Sequence, residues 1–299
     1  MKRNFKSAIT AVLALLVSAA MIMPASAQKK DKKNKHKEEV KALSGYLLKY
    51  NFPDGKPLVY STITKVDQEM DMNGSQMQVN VAVNLVCSVT ANGKDGENLR
   101  LNVKLDTLSQ TMDSPMGSSG GLINDVAGKS FGMTVAPSGK VIDLKEAEKI
   151  TYTVEGQENN ISQNFINYFP VMQSKELNPG DTWTVNDSIT SKAVSMTTKQ
   201  VFKADYKFEG MVNLDGTDCA KITSVITGTR EQKGENMGMD ILIKGTFTGT
   251  SELFFAVKEG YIIKESSNNK LSGNIEISGG QNMSMPLTAT TVSTRTLKK

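Results

Sequence analysis

Apolar and polar residues alternate one by one along most of this chain, and that period limits what it can fold into. Leu99, Leu101, Val103 and Leu105 alternate with Arg100, Asn102, Lys104 and Asp106. Phe202, Ala204, Tyr206 and Phe208 alternate with charged residues, and so do Leu271, Gly273, Ile275 and Ile277 with polar ones. A strand turns successive side chains to opposite faces, so each pattern gives one apolar and one wetted sheet face. Asn73-Gly74, Asn92-Gly93, Asp95-Gly96, Asp215-Gly216 and Gly279-Gly280 separate the runs. Such dipeptides accept the positive φ of tight hairpins. The chain therefore reads as an antiparallel meander.

One segment departs from this period. In residues 157–174, Ile161, Phe165, Tyr168, Phe169 and Met172 fall at helical spacing, with Asn160 as N-cap and Pro170 as terminator. Leu144 to Ile150 adds a helical turn. Around this segment lie two similar units. Gly96 to Gly139 is a spacing of 43 and Gly216 to Gly260 one of 44, and Tyr60 and Trp183 open each unit alike. The expected division is 45–143 as a first β unit, 144–179 as a helical linker and 180–299 as a second β unit, the two forming one domain. The apolar face needs a cover, and the linker is the only sizeable candidate. The predicted architecture is a large curved antiparallel sheet or half-barrel built from two related meander units with one central helical segment. A β-sandwich is the alternative.

Residues 1–27 carry a basic start (Lys2, Arg3, Lys6), an apolar run from Ala8 to Met23, and Ala25-Ser26-Ala27. This reads as a signal peptide cut between Ala27 and Gln28. The run is shorter than the ~20 residues of a membrane span, and no cysteine stands at the cut to take a lipid. The expectation is a periplasmic or secreted protein with no transmembrane span in the mature chain. Removing the signal leaves 32 basic against 31 acidic residues. A near-neutral chain without a clustered basic field does not suit nucleic acid. Residues 28–44 begin with a Lys-rich stretch, read as a disordered solvated arm; contact with an anionic surface is the sharper alternative.

The motifs Met70-Asp71-Met72-Asn73-Gly74, Asp113-Ser114-Pro115-Met116-Gly117 and Gly128-Lys129-Ser130-Phe131 occur in order with Pro137-Ser138-Gly139-Lys140-Val141, Phe169-Pro170 and Pro179-Gly180-Asp181-Thr182-Trp183. Together they resemble an uncharacterised family of exported bacterial β-rich proteins, over most of residues 57–297. The resemblance implies a bacterial envelope protein and supplies no site residues. The curved sheet also looks like bacterial lipoprotein carriers, at the level of fold alone.

Catalytic chemistry has little to work with. His36 is the single histidine and lies in the Lys-rich arm, where it cannot be held beside a nucleophile. No catalytic, cofactor-binding or metal residues are assigned, and no cofactor is expected. Cys87 and Cys219 are the only thiols. Cys87 falls in the inward row Val79-Val81-Val83-Leu85-Cys87-Val89, which favours two buried thiols over a bridge. Thirteen of the 16 methionines follow the signal. The pairs Met70 and Met72, Met237 and Met239, and Met283 and Met285 each share a strand face. They read either as core packing and hairpin tips or as a flexible apolar lining. The expected function is non-enzymatic binding of an apolar, lipid-like ligand or an envelope protein partner. The alternatives are a structural or interaction protein with a filled core, and a hydrolase using paired carboxylates.

Overall fold

The computed structural model describes residues 45–72, 74–154, 156–192, 196–236, 238–279 and 282–298. Residues 1–44, with Ala25, Ala27, Gln28 and the Lys-rich arm, and Met237 lie outside the described residues. One curved antiparallel sheet of 12 strands dominates the molecule. Its strands are β1 (Leu58–Met72), β2 (Ser75–Asp95), β3 (Asn98–Ser114), β4 (Gly117–Leu122), β5 (Ser130–Val135), β6 (Val141–Asp143), β9 (Thr182–Lys192), β10 (Met196–Leu214), β11 (Thr217–Asn236), β12 (Met239–Ala256), β13 (Tyr261–Ser278) and β14 (Met283–Leu297). A separate hairpin pairs β7 (Thr151–Val154) with β8 (Gln157–Asn160). The sheet order is β6-β5-β3-β2-β1-β14-β13-β12-β11-β10-β9, with β4 beside β3. Two meanders thus meet where the first long strand pairs with the last. The single sheet, open at both ends, excludes the sandwich alternative.

The alternation holds strand by strand. Val79, Val81, Val83, Leu85, Cys87 and Val89 are all buried, as are Leu99, Leu101, Val103 and Leu105. Their sequence neighbours Asn80, Asn84, Arg100, Asn102 and Lys104 are exposed on the convex face. Both cysteines are buried, unbridged thiols.

The central segment covers the concave face, as its apolar residues require, but it is not the predicted α-helix. Gln157–Asn160 is strand, and only Ile161–Asn164 forms a 3-10 turn. Asn160 stands at the N-cap of that turn, but its side chain makes no capping bond. Its amide donates to the Lys192 carbonyl at 2.9 Å, and its carbonyl oxygen accepts from Ser162 Oγ. Those bonds hold the chain extended just where a helix would have to begin. Ile161, Phe165, Tyr168, Phe169 and Met172 still all point into the core. Tight turns thus bury the same five side chains a helix would have buried. A true α-helical turn, α1 (Lys145–Glu148), falls within the predicted 144–150 stretch.

One end of the half-barrel is plugged. Leu48, Tyr50 and Phe52 are buried there. Tyr50 N–H donates to the Pro137 carbonyl and Asn51 N–H to that of Gly260. The same short segment therefore touches the glycine turns of both meanders. Gly139 has φ +97° and a Cβ there would lie 2.5 Å from the Tyr50 ring; Gly260 has φ +80° and a Cβ would lie 2.7 Å from Asn51. Only glycine allows both the left-handed turn and this contact.

Candidate functional site

Register fixes which side chains share the concave face, because cross-strand partners point the same way. One row runs Val83, Thr64, Ser293, Ser267, Ser251, Ser224 and Tyr206 across seven strands. Its hydroxyls bond sideways, Thr64 to Ser293 at 2.9 Å and Ser224 to Ser251 at 3.1 Å. This hydroxyl row is the floor of a cavity of about 160 Å³, roofed by residues 163 to 171 of the central segment.

Arg295 fastens the roof to the floor. Its Nη1 donates to the Tyr168 carbonyl and its Nη2 to Glu265, and the guanidinium lies 4.3 Å from the Tyr168 ring centre. Arg295 is 6% and Glu265 17% exposed at the side chain, so the pair is shielded from solvent. Burial opposes the charge on Arg295. The Glu265 carboxylate, with the surrounding tyrosines, more than offsets it and holds the guanidinium more firmly protonated. Aromatic contacts extend the attachment: Tyr168 meets Tyr60 edge-on, Phe165 meets Phe131, and Phe169 meets Tyr50 and Phe52. Tyr50 OH also donates to the Pro170 carbonyl at 3.0 Å.

Toward the unplugged end the face changes character. A second row runs Met77, Met70, Leu287, Gly273, Gly245, Arg230, Gln200 and Ile189. The next holds Met285, Ile275, Ile243, Gln232 and Thr198, and the last Met283, Ile277, Ile241, Gly234 and Met196. At this rim a cleft of about 940 Å³ is lined by Met196, Ile241, Ile277 and Met283, with Lys192, Lys233, Asp240 and Glu276 around it.

Of the six methionines expected as an apolar lining, the five among the described residues lie near one end. Met283 lines the cleft. Met285 and Met70 are buried in the rows behind it, and Met239 packs partly buried against the core. Met72 ends β1 at the same rim. Antiparallel hairpins bring these strand ends together, so pairs scattered over 200 residues share one rim.

The polar residues of the concave face were not singled out from the sequence. Gln200, Arg230, Gln232 and Asn269 are each at most 3% exposed. They carry side-chain atoms without a partner among the described residues: both amide atoms of Gln200 and Asn269, Oε1 of Gln232, and Nε and Nη2 of Arg230. The signal was present. The inward row Phe202 to Phe208, continued backwards by twos, reaches Gln200, and Ile222 continued forwards by twos reaches Arg230 and Gln232.

Buried acids of the opposite kind give the protein an alkaline limit. Burial pushes the Tyr152 phenol up to about 12, holds those of Tyr50, Tyr60, Tyr168 and Tyr206 well above the usual phenol value, and pushes the Cys87 and Cys219 thiols to about 11. Each folded value exceeds the unfolded one, so this stability is fully present below about pH 9 and is lost as pH rises through 11 to 12 and beyond. Arg230 opposes the trend, since burial pulls it down to about 9, but it is one group against seven. Urea midpoints should fall steadily above pH 9 to 10. Midpoints unchanged up to pH 12 would contradict the burial assigned to these phenols and thiols.

Among the described residues, no cluster of three or more His, Cys, Asp or Glu side chains is placed to hold a metal ion. No helix there is long and apolar enough to cross a membrane. No family model matches the sequence, and a search of curated proteins finds no relative. Among solved structures the chain is similar to DynF of the dynemicin biosynthesis pathway of Micromonospora chersina (6% identity, 88% of this chain and 92% of that one, TM-score 0.23). It is also similar to a Bacteroides fragilis protein described as exported, with a YmcC-like fold (11% identity, 85% and 100%, TM-score 0.23). A third is Pseudomonas aeruginosa OccK2 (6% identity, 85% and 100%, TM-score 0.24). At these identities and TM-scores, none of them bears on the site.

Proposed function

We propose that this is an exported, non-enzymatic binding protein whose half-barrel takes an elongated, partly apolar ligand along its concave face. The observation that carries this reading is the set of buried, unpartnered polar atoms on Gln200, Arg230, Gln232 and Asn269. A core that serves only to hold the fold together leaves few polar groups unmet, since each costs about 1–3 kcal/mol. Here Asn269 lines the inner cavity, and Gln200, Arg230 and Gln232 follow on the same face by register, between that cavity and the rim cleft. That distribution favours binding over a filled structural core. The methionine and isoleucine rim suits an apolar chain, because thioethers adapt to irregular shapes. The inner cavity alone is smaller than the ~300 Å³ of an ordinary small-molecule pocket. A ligand therefore enters at the rim cleft. Export rests on the basic, apolar and Ala-x-Ala pattern of residues 1–27.

The test uses N-phenyl-1-naphthylamine, a neutral dye that fluoresces in apolar surroundings. Titration into the purified protein should saturate at one site, and hexadecanol should displace the dye. A linear, unsaturable signal would leave the filled-core reading in its place.

A further inference from the structure

We propose that Arg230 is the head-group site of this groove, and that the ligand carries one negative charge, as an alkyl carboxylate does, at the end of its apolar chain. The inference rests on the groove-binding reading and adds the ligand's charge and position.

Arg230 lies in the C-terminal half of β11 and is 3% exposed. Its Nε and Nη2 are buried without a partner, and among the described residues no Asp or Glu forms an ion pair with it. Arg295, whose Nε is likewise buried without a partner, shows what this fold does with a guanidinium that only holds structure: it supplies a carboxylate, a carbonyl and an aromatic face. A buried cation left alone is strongly disfavoured, and a folded chain retains one where an anion completes it.

The surroundings fit an oxyanion. Gln200 is the direct cross-strand partner of Arg230 and has a free amide Nε2; Gln232 follows on the same face of β11. On the other side, β12 and β13 present Gly245 and Gly273, which place no side chain of their own beside Arg230, although Leu271 Cδ1 would lie 3.1 Å from a Cβ at Gly245. A guanidinium fork with an amide donor alongside matches a planar carboxylate. One cation neutralises one negative charge; a doubly charged phosphate monoester would leave an excess buried. From Arg230 the apolar path runs past Ile243, Ile275 and Met285 to the rim at Ile277 and Met283. That is two rows, about 14 Å at the ordinary strand rise.

Calorimetric titration of hexadecanoate and hexadecanol into the wild-type protein and Arg230→Met tests this. The wild type should bind hexadecanoate at least about tenfold more tightly than hexadecanol, the size of a charge-assisted hydrogen bond or more. Arg230→Met should lose that preference while keeping its affinity for hexadecanol, and Arg230→Lys should recover part of it. Unchanged hexadecanoate binding by Arg230→Met overturns the assignment, as does equal wild-type affinity for the two chains, which leaves the groove reading intact. Tighter binding of hexadecyl phosphate than of hexadecanoate overturns the single charge. Failure of both chains to bind overturns the groove reading together with this one.

Discussion

Replacing Arg295 by alanine is expected to destabilise the protein by about 3–5 kcal/mol, the range for breaking a buried ion pair from one side. Three losses coincide. Glu265 stays shielded with its charge unmet, the Tyr168 carbonyl loses its donor, and the guanidinium no longer lies against the Tyr168 ring. For a domain of this size the melting temperature should fall by roughly 10 °C. The damage also has a place. Arg295 ties residues 165 to 171 to the sheet, so their amides should exchange faster than those of β10 to β13. A loss below about 1 kcal/mol, with exchange unchanged, would show that aromatic packing alone holds the roof. Glu265→Gln should cost less, because Arg295 keeps the carbonyl and the ring.

Arg230→Met should do the opposite. Exchanging an unpaired buried cation for an apolar side chain of similar length is expected to stabilise the free protein by about 1–4 kcal/mol. Arg230 has no anion to lose among the described residues, and its register neighbours are Gln200 and Gly245 in its own row and the apolar Ile243 in the next. The urea midpoint is the measurement, with an unchanged slope confirming the same folded state. A destabilised Arg230→Met would mean that the guanidinium makes strong contacts within the protein and is a structural residue. The two arginines thus make a matched pair: the same side chain on the same concave face, with opposite signs expected on removal.

Much of the fold could be read from the chain because period two is a local property. Val79 to Val89, Leu99 to Leu105 and Phe202 to Phe208 state which face each strand buries without reference to any other strand. The hairpin glycines state where it reverses. The central segment misled for a related reason. Phe165, Tyr168, Phe169 and Met172 have helical spacing because they must all point down onto one surface, and tight turns meet that demand as well as a helix does. The Asn160 side chain chose between the two, and its partner, Lys192, is 32 positions away. The site was legible in part. The methionines stand out by pairing, whereas Arg230, Gln200 and Gln232 are polar positions that only the continued period of two, from Ile222 and Phe202, puts on the inward face.

The sequence by itself determined the antiparallel sheet, its inward rows and the need for a covering segment, because alternation and turn chemistry act over a few residues. Only the tertiary structure decided that β1 closes against β14, that Arg295 reaches the roof, and that Arg230 is buried without a counter-charge. Those outcomes depend on register and curvature across strand partners as far apart as Tyr60 and Leu297, which no short window of the chain contains.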